Sequence, residues 1–503
     1  MISSKSSSEV GENLVRKEPA PTLELNDPTL LPGASFINNA PAPIRTSHDL
    51  KVHNPFNNAI VSRVTQASST DVSHAIECAN KAQRKWRNSS LQQRSSLLRK
   101  WHQLIKEARD DLARILTLEN GKPLSEAHAE IDYSASFFLW NSQEALHSTS
   151  TSVVQTETCQ AQVIHEPIGT VLAITPWNFP MAMLARKIAP AIAAGCAVIA
   201  KPASETPLSA LALAEIGNRA GAPPGLFNVV VTNQNEEVVD QVMKADCIRM
   251  VTFTGSTVVG RSIAAKAAKR VLRTALELGG NAPFIVFDDA DVKAAVDGLL
   301  KNKFRCSGQT CISANRVYVQ DGIHDVFVTS AKESMERLVI GNGLDDGVQI
   351  GPLISQDAVK KVETHVNQAL ERGATRLLGG QPDGNLYPAT LLIDVTDEME
   401  CSKAETFGPV VPVLKFTAES EAWERANQGE AGLAAYLYTT NLGCAMRGVR
   451  ELKYGMVGVN STSLSSPSTS FGGMRQSGIG REGGQLSLHE FSETKFSLLQ
   501  FGA

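Results

Sequence analysis

Apolar residues recur at helical spacing through two stretches early in the chain. Val72, Ala75, Ile76, Ala79, Ala82 and Trp86 form one stripe behind Asp71, which reads as an N-cap. Leu97, Leu98, Trp101, Leu104, Ile105, Ala108 and Leu112 form a second, so two amphipathic helices are predicted. From Gly169 the rhythm changes to short β-rich runs, Val171 to Ile174, Ala197 to Ala200, Leu226 to Val231 and Met250 to Phe253, separated by helical segments. That alternation predicts βαβ units on a parallel sheet. Between two of these runs Thr206 and Pro207 read as an N-cap and first helical residue, with Leu208, Leu211 and Ala212 facing inward and Gly221 past the end. A second series follows directly after Glu277: Phe284 to Phe287, Val317 to Val319, Val411 to Leu414 and Met456 to Val459. It predicts a second α/β domain. The tail from Phe491 to Phe501 is β-permissive with no partner strand nearby in sequence, a pattern that often completes a sheet in another subunit.

Length sharpens this picture, because 503 residues exceed what one core usually supports. The balance of 42% apolar and 20% charged residues, with net charge −4, is that of a soluble globular protein without the basic surplus that nucleic acid would require. The longest nearly apolar stretch, Pro190 to Ala200, is fenced by Lys187 and Lys201 and too short for a membrane span; it reads as a helix end plus a strand. Eight cysteines without CxxC pairing or zinc-like His spacing suggest reduced thiols, no metal and a cytoplasmic location. Residues 1–34 are rich in Ser, Pro and acidic groups, which argues against a transit or signal peptide and for a disordered or loosely docked arm, with order beginning near Ser35.

Chemistry concentrates in Arg305-Cys306-Ser307-Gly308-Gln309-Thr310-Cys311 and Glu277-Leu278-Gly279-Gly280-Asn281. A thiol is the strongest unassisted side-chain nucleophile, and a carboxylate over a water can release an acyl group captured on sulfur. Alone, Cys311 would read as inert packing; the Gly, Gln and Thr around it point to a nucleophile instead. Gly478 to Gly483 is the only literal GxGxxG and follows no clear strand, so it is discounted as a dinucleotide motif. Gly255 and Ser256 are better placed, where a strand meets a helix whose unpaired N–H groups suit a pyrophosphate. Lys201-Pro202-Ala203-Ser204 and Pro176-Trp177-Asn178-Phe179-Pro180 both follow strands, at the carboxyl ends where doubly wound sheets bind ligands. Asn178 is a candidate oxyanion donor, worth roughly 3 to 4 kcal/mol by comparison with other enzymes; Trp177 and Phe179 equally suit simple packing.

These segments, in this order and with Glu405-Thr406-Phe407-Gly408-Pro409 and Phe471-Gly472-Gly473, closely resemble the aldehyde dehydrogenase superfamily from about Ser35 to the C-terminus. Gly280 through Asp291 is most similar to its succinate-semialdehyde branch. The resemblance implies an α/β fold with a Rossmann-type cofactor domain (35–150 and 168–278), an α/β catalytic domain (279–475) and a small β oligomerisation element (151–167 and 485–503), assembled as a homodimer or homotetramer. It implies Cys311 as nucleophile, Asn178 with the Cys311 N–H as oxyanion hole, and Glu277 as base. Thr175, Pro176, Trp177, Lys201, Ser204, Gly225, Gly255, Ser256, Leu278, Glu405 and Phe407 would bind the cofactor, and Arg186, Arg305 and Ser465 the distal carboxylate of a semialdehyde. An Arg–carboxylate hydrogen bond contributes roughly 1.5 to 3 kcal/mol. NAD-preferring relatives usually carry glutamate at Ser204, which would repel a 2′-phosphate by up to ~4 kcal/mol at 4 Å and effective dielectric 20. NADP is therefore the expected cofactor, with NAD as a second.

Three departures from the branch stand out. Ser470 replaces a usual Pro in the hydroxyl-rich loop from Asn460 to Phe471, Ser313 replaces a second cysteine used by some relatives in a redox disulfide, and Ala404 replaces the first glutamate of a pair. Cys306 is either a substitute redox partner or an unpaired bystander. The expected reaction is oxidation of succinate semialdehyde or a close homologue. The alternatives are a bulkier or uncharged aldehyde, a coenzyme-A acylating enzyme, and a non-catalytic family member, against which the presence of both Cys311 and Glu277 speaks.

Overall fold

A computed structural model describes residues 23–43, 49–147, 151–156 and 158–501. Its first sheet has five parallel strands at its centre, in the order Arg273–Glu277, Ile248–Thr254, Thr170–Ile174, Ala197–Lys201 and Phe227–Val229. All five residues of Thr170–Ile174 and of Ala197–Lys201 are buried, because helices cover both faces and leave no polar side to the strand. The chain winds outward from Thr170–Ile174 through two strands, then returns to its other side at Ile248–Thr254. The carboxyl ends of those two neighbours therefore form the crevice of a topological switch point.

The second sheet runs Thr375–Leu378, Thr390–Ile393, Val410–Phe416, Ala314–Gln320, Ala282–Val286, Ala434–Tyr438 and Met456–Val459, parallel except at its first strand. Phe284 and Val286 pack into one apolar cluster and Ile285 into another, so this sheet too is buried on both faces. Ala434–Tyr438 was not anticipated: its five residues, Ala-Ala-Tyr-Leu-Tyr, lack the β-branched signature.

Several local expectations are corrected. The first helix is Ser69–Trp86 and its N-cap is Ser68, which forms a reciprocal capping box with Asp71 at the third helical position. The second stripe is two helices, Leu91–Glu107 and Arg109–Asn120, meeting at Ala108, so Leu112 belongs to the later one. Helix Leu208–Ala220 starts after Pro207; the Leu208 and Ser209 N–H groups are capped by the Glu119 carboxylate at 2.7 and 2.9 Å, a partner far away in sequence. The arm expected over 1–34 is docked from Leu23 onward: Leu30 is fully buried, and the Asn26 and Asp27 N–H groups bond Asp111. Its first 22 residues lie outside the described residues.

The tail strand Ser492–Gln500 pairs antiparallel with Cys159–Pro167 of its own chain, which pairs in turn with Thr151–Thr156. The partner strand was thus distant in sequence rather than absent from the chain. Phe491 is buried in the first core, so the segment expected to start at 485 leaves that core only at Ser492. Before it, Gly478–Ile479 returns to the first sheet beside Arg273–Glu277.

Candidate active site

Glu277 ends an edge of the parallel set in the first sheet, and Ala282 begins a strand of the second, so the intervening residues cross between domains. Gly280 passes close to Cys311: a Cβ there would lie 2.2 Å from the Cys311 carbonyl oxygen. The crossing places Glu277, Cys311 and Asn178 along one cleft of about 370 Å³. Pro176, Trp177, Gly255, Ser256, Leu278, Glu405 and Phe407 line the same cleft, as do Arg186, Arg305 and Ser465.

Cys311 follows an unusual turn in which Cys306, Ser307 and Gly308 all take positive φ (50°, 57° and 78°). For the two non-glycine residues this costs roughly 1 to 2 kcal/mol each, so outside contacts must hold them. Glu126 accepts the Cys306 N–H at 2.7 Å, Ser307 Oγ donates to the Gly351 carbonyl at 2.8 Å, and Asn178 Nδ2 donates to the Gln309 carbonyl at 2.7 Å. Asn178 is fixed in turn through its own carbonyl, which accepts from Lys122 Nζ at 2.7 Å. The Lys122 ammonium is paired with Glu130 at 2.6 Å, and Glu130 caps helix Pro180–Ala194 through the Met181 and Ala182 N–H groups.

Burial pushes the Cys311 thiol up to about 12, with Glu405 and Glu277 adding to the rise and Arg186 and Arg305 opposing it. Burial also carries Glu277 well above the ordinary carboxylate range, reinforced by nearby Glu482 and opposed by Arg186, Lys187 and Arg481. Glu277 Oε2 has no hydrogen-bond partner among the described residues. Glu482 is fully enclosed; burial would raise its carboxyl, but Lys187 and Arg186 hold it below its usual range. Its ion pair with Arg186 Nε is 2.6 Å, and it also bonds Lys187 Nζ. Arg186 stacks 4.0 Å over the Phe471 ring, and its Nη1 is buried without a hydrogen-bond partner among the described residues. Arg305 lies over the Phe179 ring at 4.7 Å, and the Ser465 hydroxyl bonds the Tyr133 hydroxyl.

Four expected residues do not line the cleft. Thr175 and Lys201 stand at the ends of neighbouring strands; Lys201 Nζ donates to the Pro202 carbonyl at 2.9 Å, and burial brings its amine down to about 8. Ser204 Oγ donates to Glu205 at 3.1 Å. At Gly225 a Cβ would lie 2.6 Å from the Cys78 carbonyl oxygen, a packing reason for glycine. The switch-point crevice nonetheless suits a dinucleotide. Ser256 caps a twelve-residue helix whose N-terminus opens on the cleft, and the buried Thr175 and Thr254 hydroxyls lack partners among the described residues.

A thiol, a buried carboxylate whose Oε2 has no hydrogen-bond partner among the described residues and a side-chain amide thus share one cleft, and the chain matches the model of the aldehyde dehydrogenase family over residues 44–497. The chain belongs to the aldehyde dehydrogenase family. As a member it is an NAD(P)-dependent oxidoreductase acting on aldehydes. This aldehyde dehydrogenase is 44% identical over 481 residues to a glutarate-semialdehyde dehydrogenase of Pseudomonas aeruginosa, covering 95% of the chain and 99% of that relative. It is 44% identical over 478 residues to the NADP(+) succinate-semialdehyde dehydrogenase of Escherichia coli, with 94% and 99% covered. A crystal structure of an E. coli NADP-dependent enzyme superposes with a TM-score of 0.93 at 44% identity, covering 95% of this chain and all of that one.

The sequence reading missed Glu482, Lys187, Lys122, Glu130, Glu126 and Tyr133 around this dehydrogenase's cleft. One signal was present: Arg186 and Lys187 are adjacent cations inside an apolar helix, and two buried cations require a buried anion. That anion, Glu482, sits inside the Gly478 to Gly483 run that was set aside as a cofactor motif.

Proposed function

We propose that this enzyme oxidises succinate semialdehyde to succinate, with NADP preferred and NAD accepted. The observation that carries the substrate is Arg186: a buried guanidinium lining the cleft, its Nη1 without a hydrogen-bond partner among the described residues, with Arg305 and Ser465 on the same cavity as Cys311. A distal carboxylate supplies the acceptor that Nη1 lacks. The semialdehydes that name the two relatives are aldehydes of this kind.

In this reading Cys311 loses its proton to Glu277 and attacks the aldehyde carbon, forming a thiohemiacetal whose oxygen is received by Asn178 Nδ2 and the Cys311 N–H. Oxidation of that carbon to a thioester needs a hydride acceptor, which a nicotinamide held in the crevice would supply. Once Glu277 has given up the thiol proton, it takes a proton from water, which adds to the thioester carbonyl and expels the Cys311 sulfur as thiolate. Lys187 and Glu482 adjoin Glu277, and their charges act in opposite directions on how firmly it holds that proton. Glu405, which burial raises to about 7, and Lys201 would hold the riboses, with Phe407 against the nicotinamide. At Ser204 the neighbouring Glu205 returns a carboxylate to the ribose end, which favours retaining NAD as a second cofactor.

The test is the initial rate with succinate semialdehyde, glutarate semialdehyde and butanal, each with NADP and NAD. Preference for the acids that is lost in Ser465→Ala and Arg305→Gln supports the pocket; equal use of butanal defeats it while leaving the Cys311 chemistry, which Cys311→Ser tests separately.

Phe496, Leu498 and Leu499 expose apolar side chains on the tail strand, at the edge of its three-stranded sheet, and Phe501 does so just past its end. This supports a homodimer or homotetramer built on that element. Among the described residues no helix is long and apolar enough to cross a membrane, and eight cysteines outside any disulfide fit the reducing cytoplasm.

A further inference from the structure

Five carboxylates line or adjoin the cleft, and four have a clear task. Glu130 pairs with Lys122, Glu482 with Arg186 and Lys187, Glu277 lines the cleft with Cys311 as the base of the proposed reaction, and Glu405 accepts the Gly280 N–H at 3.4 Å. Glu126 is the fifth. It projects from the first turn of helix Leu124–Glu144 into the cleft, and its hydrogen bond is to the Cys306 N–H. Burial raises its carboxyl, against the opposing influence of Lys122, that N–H and Arg305.

We infer that Glu126 determines selectivity for acidic aldehydes by holding the Arg305–Cys306 turn, so that Arg305 faces the distal carboxylate of the substrate; this rests on the carboxylate-pocket reading above. Arg305 itself forms no ion pair within 4 Å among the described residues, and its guanidinium lies on the face of Phe179. Its direction is set by that ring and by the backbone it leaves, and the backbone continues into two residues of unfavourable φ. The turn is tied at separate points. Ser307 to Gly351, Gln309 Oε1 receiving the Ile354 N–H at 2.9 Å, and Asn178 to Gln309 secure the half leading to Cys311. Glu126 secures the half that carries Arg305. Removing it strands a buried N–H and loosens Arg305 while the nucleophile stays anchored. Glu126 is thus a positioning residue that acts through Arg305 and not on the reacting atoms.

The experiment measures kcat/KM for succinate semialdehyde relative to butanal in Glu126→Ala, Glu126→Gln, Arg305→Gln and the Glu126→Ala/Arg305→Gln double variant. Glu126→Ala is expected to lower the ratio about tenfold, through KM for the acid rather than kcat. Glu126→Gln keeps an amide oxygen that accepts the Cys306 N–H, and is expected to stay within about threefold of the parent. In the Arg305→Gln background Glu126→Ala should have no further effect on the ratio, since the two act through one group. Loss of kcat for both aldehydes alike, equal impairment by Gln and Ala, or additive losses in the double variant would each overturn the inference. If Arg305→Gln lowers the ratio and Glu126→Ala does not, the inference alone fails. If Arg305→Gln leaves the ratio unchanged, the carboxylate pocket fails and takes the inference with it.

Discussion

Replacing Gly280 by alanine tests how tightly the interdomain crossing sets the nucleophile. Gly280 is buried and its φ is not in the left-handed region, so the added methyl acts by steric contact alone. Its Cβ would stand 2.2 Å from the Cys311 carbonyl oxygen and 3.5 Å from Leu433 Cβ, whereas real Cβ contacts essentially never fall below 3.0 Å. The first contact is with backbone, which has no rotamer to turn away. Either the Cys311 segment or the Leu278–Asn281 crossing must therefore move by about 1 Å, and the second route shifts Glu277. A displacement of about 1 Å in a catalytic arrangement costs about 100-fold in rate, equivalent to about 2.7 kcal/mol of transition-state stabilisation. The assay is kcat/KM from NADPH formation, with urea unfolding to register the overpacking cost of about 1 to 3 kcal/mol. Gly380→Ala is the control, since its Cβ would meet nothing within 4 Å. Folded Gly280→Ala protein with activity within threefold of the parent would refute the reasoning.

The pH profile follows from the buried charges. Glu277 must be ionised to act as base, so kcat should fall on the acid side through a pKa well above the ordinary range. Glu482→Gln removes the like charge that raises it, so the acid limb should move to lower pH; an unmoved limb in kcat–pH data would count against the coupling. Lys303 is fully buried, its Nζ has no partner among the described residues, and burial lowers its amine from 10.5 to about 7. The unfolded chain therefore holds an extra proton between about pH 7 and 10.5, and stability falls as pH drops through that window, by about 5 kcal/mol at most. Lys303→Met should raise the urea midpoint at pH 7.5 and flatten its pH dependence; a lower midpoint would show that the amine is doing something the packing does not reveal. For the tail strand, Phe496→Asp with Leu498→Asp should reduce the mass found by light scattering. An unchanged mass would place the interface elsewhere.

The repeated strand–helix alternation and the short motifs at strand ends were legible because each depends on neighbours in sequence: a buried parallel strand needs a continuous apolar run, and a ligand loop needs the strand before it. Cys311, Glu277 and Asn178 could be named on that basis, together with the order of the two α/β units. The Glu119 cap and the strand Ala434–Tyr438 were not, since partners distant in sequence decided them, whereas the Ser68 cap was written locally as Ser68-x-x-Asp71 and was overlooked. The site divides in the same way. The sequence by itself determined which groups are chemically able to attack, release an acyl group and meet a dinucleotide. Only the tertiary structure brought Glu482 against Lys187 across 295 residues and Glu126 against Cys306 across 180. Buried charge can be satisfied by any opposite charge the fold delivers, so its partner leaves no pattern along the chain.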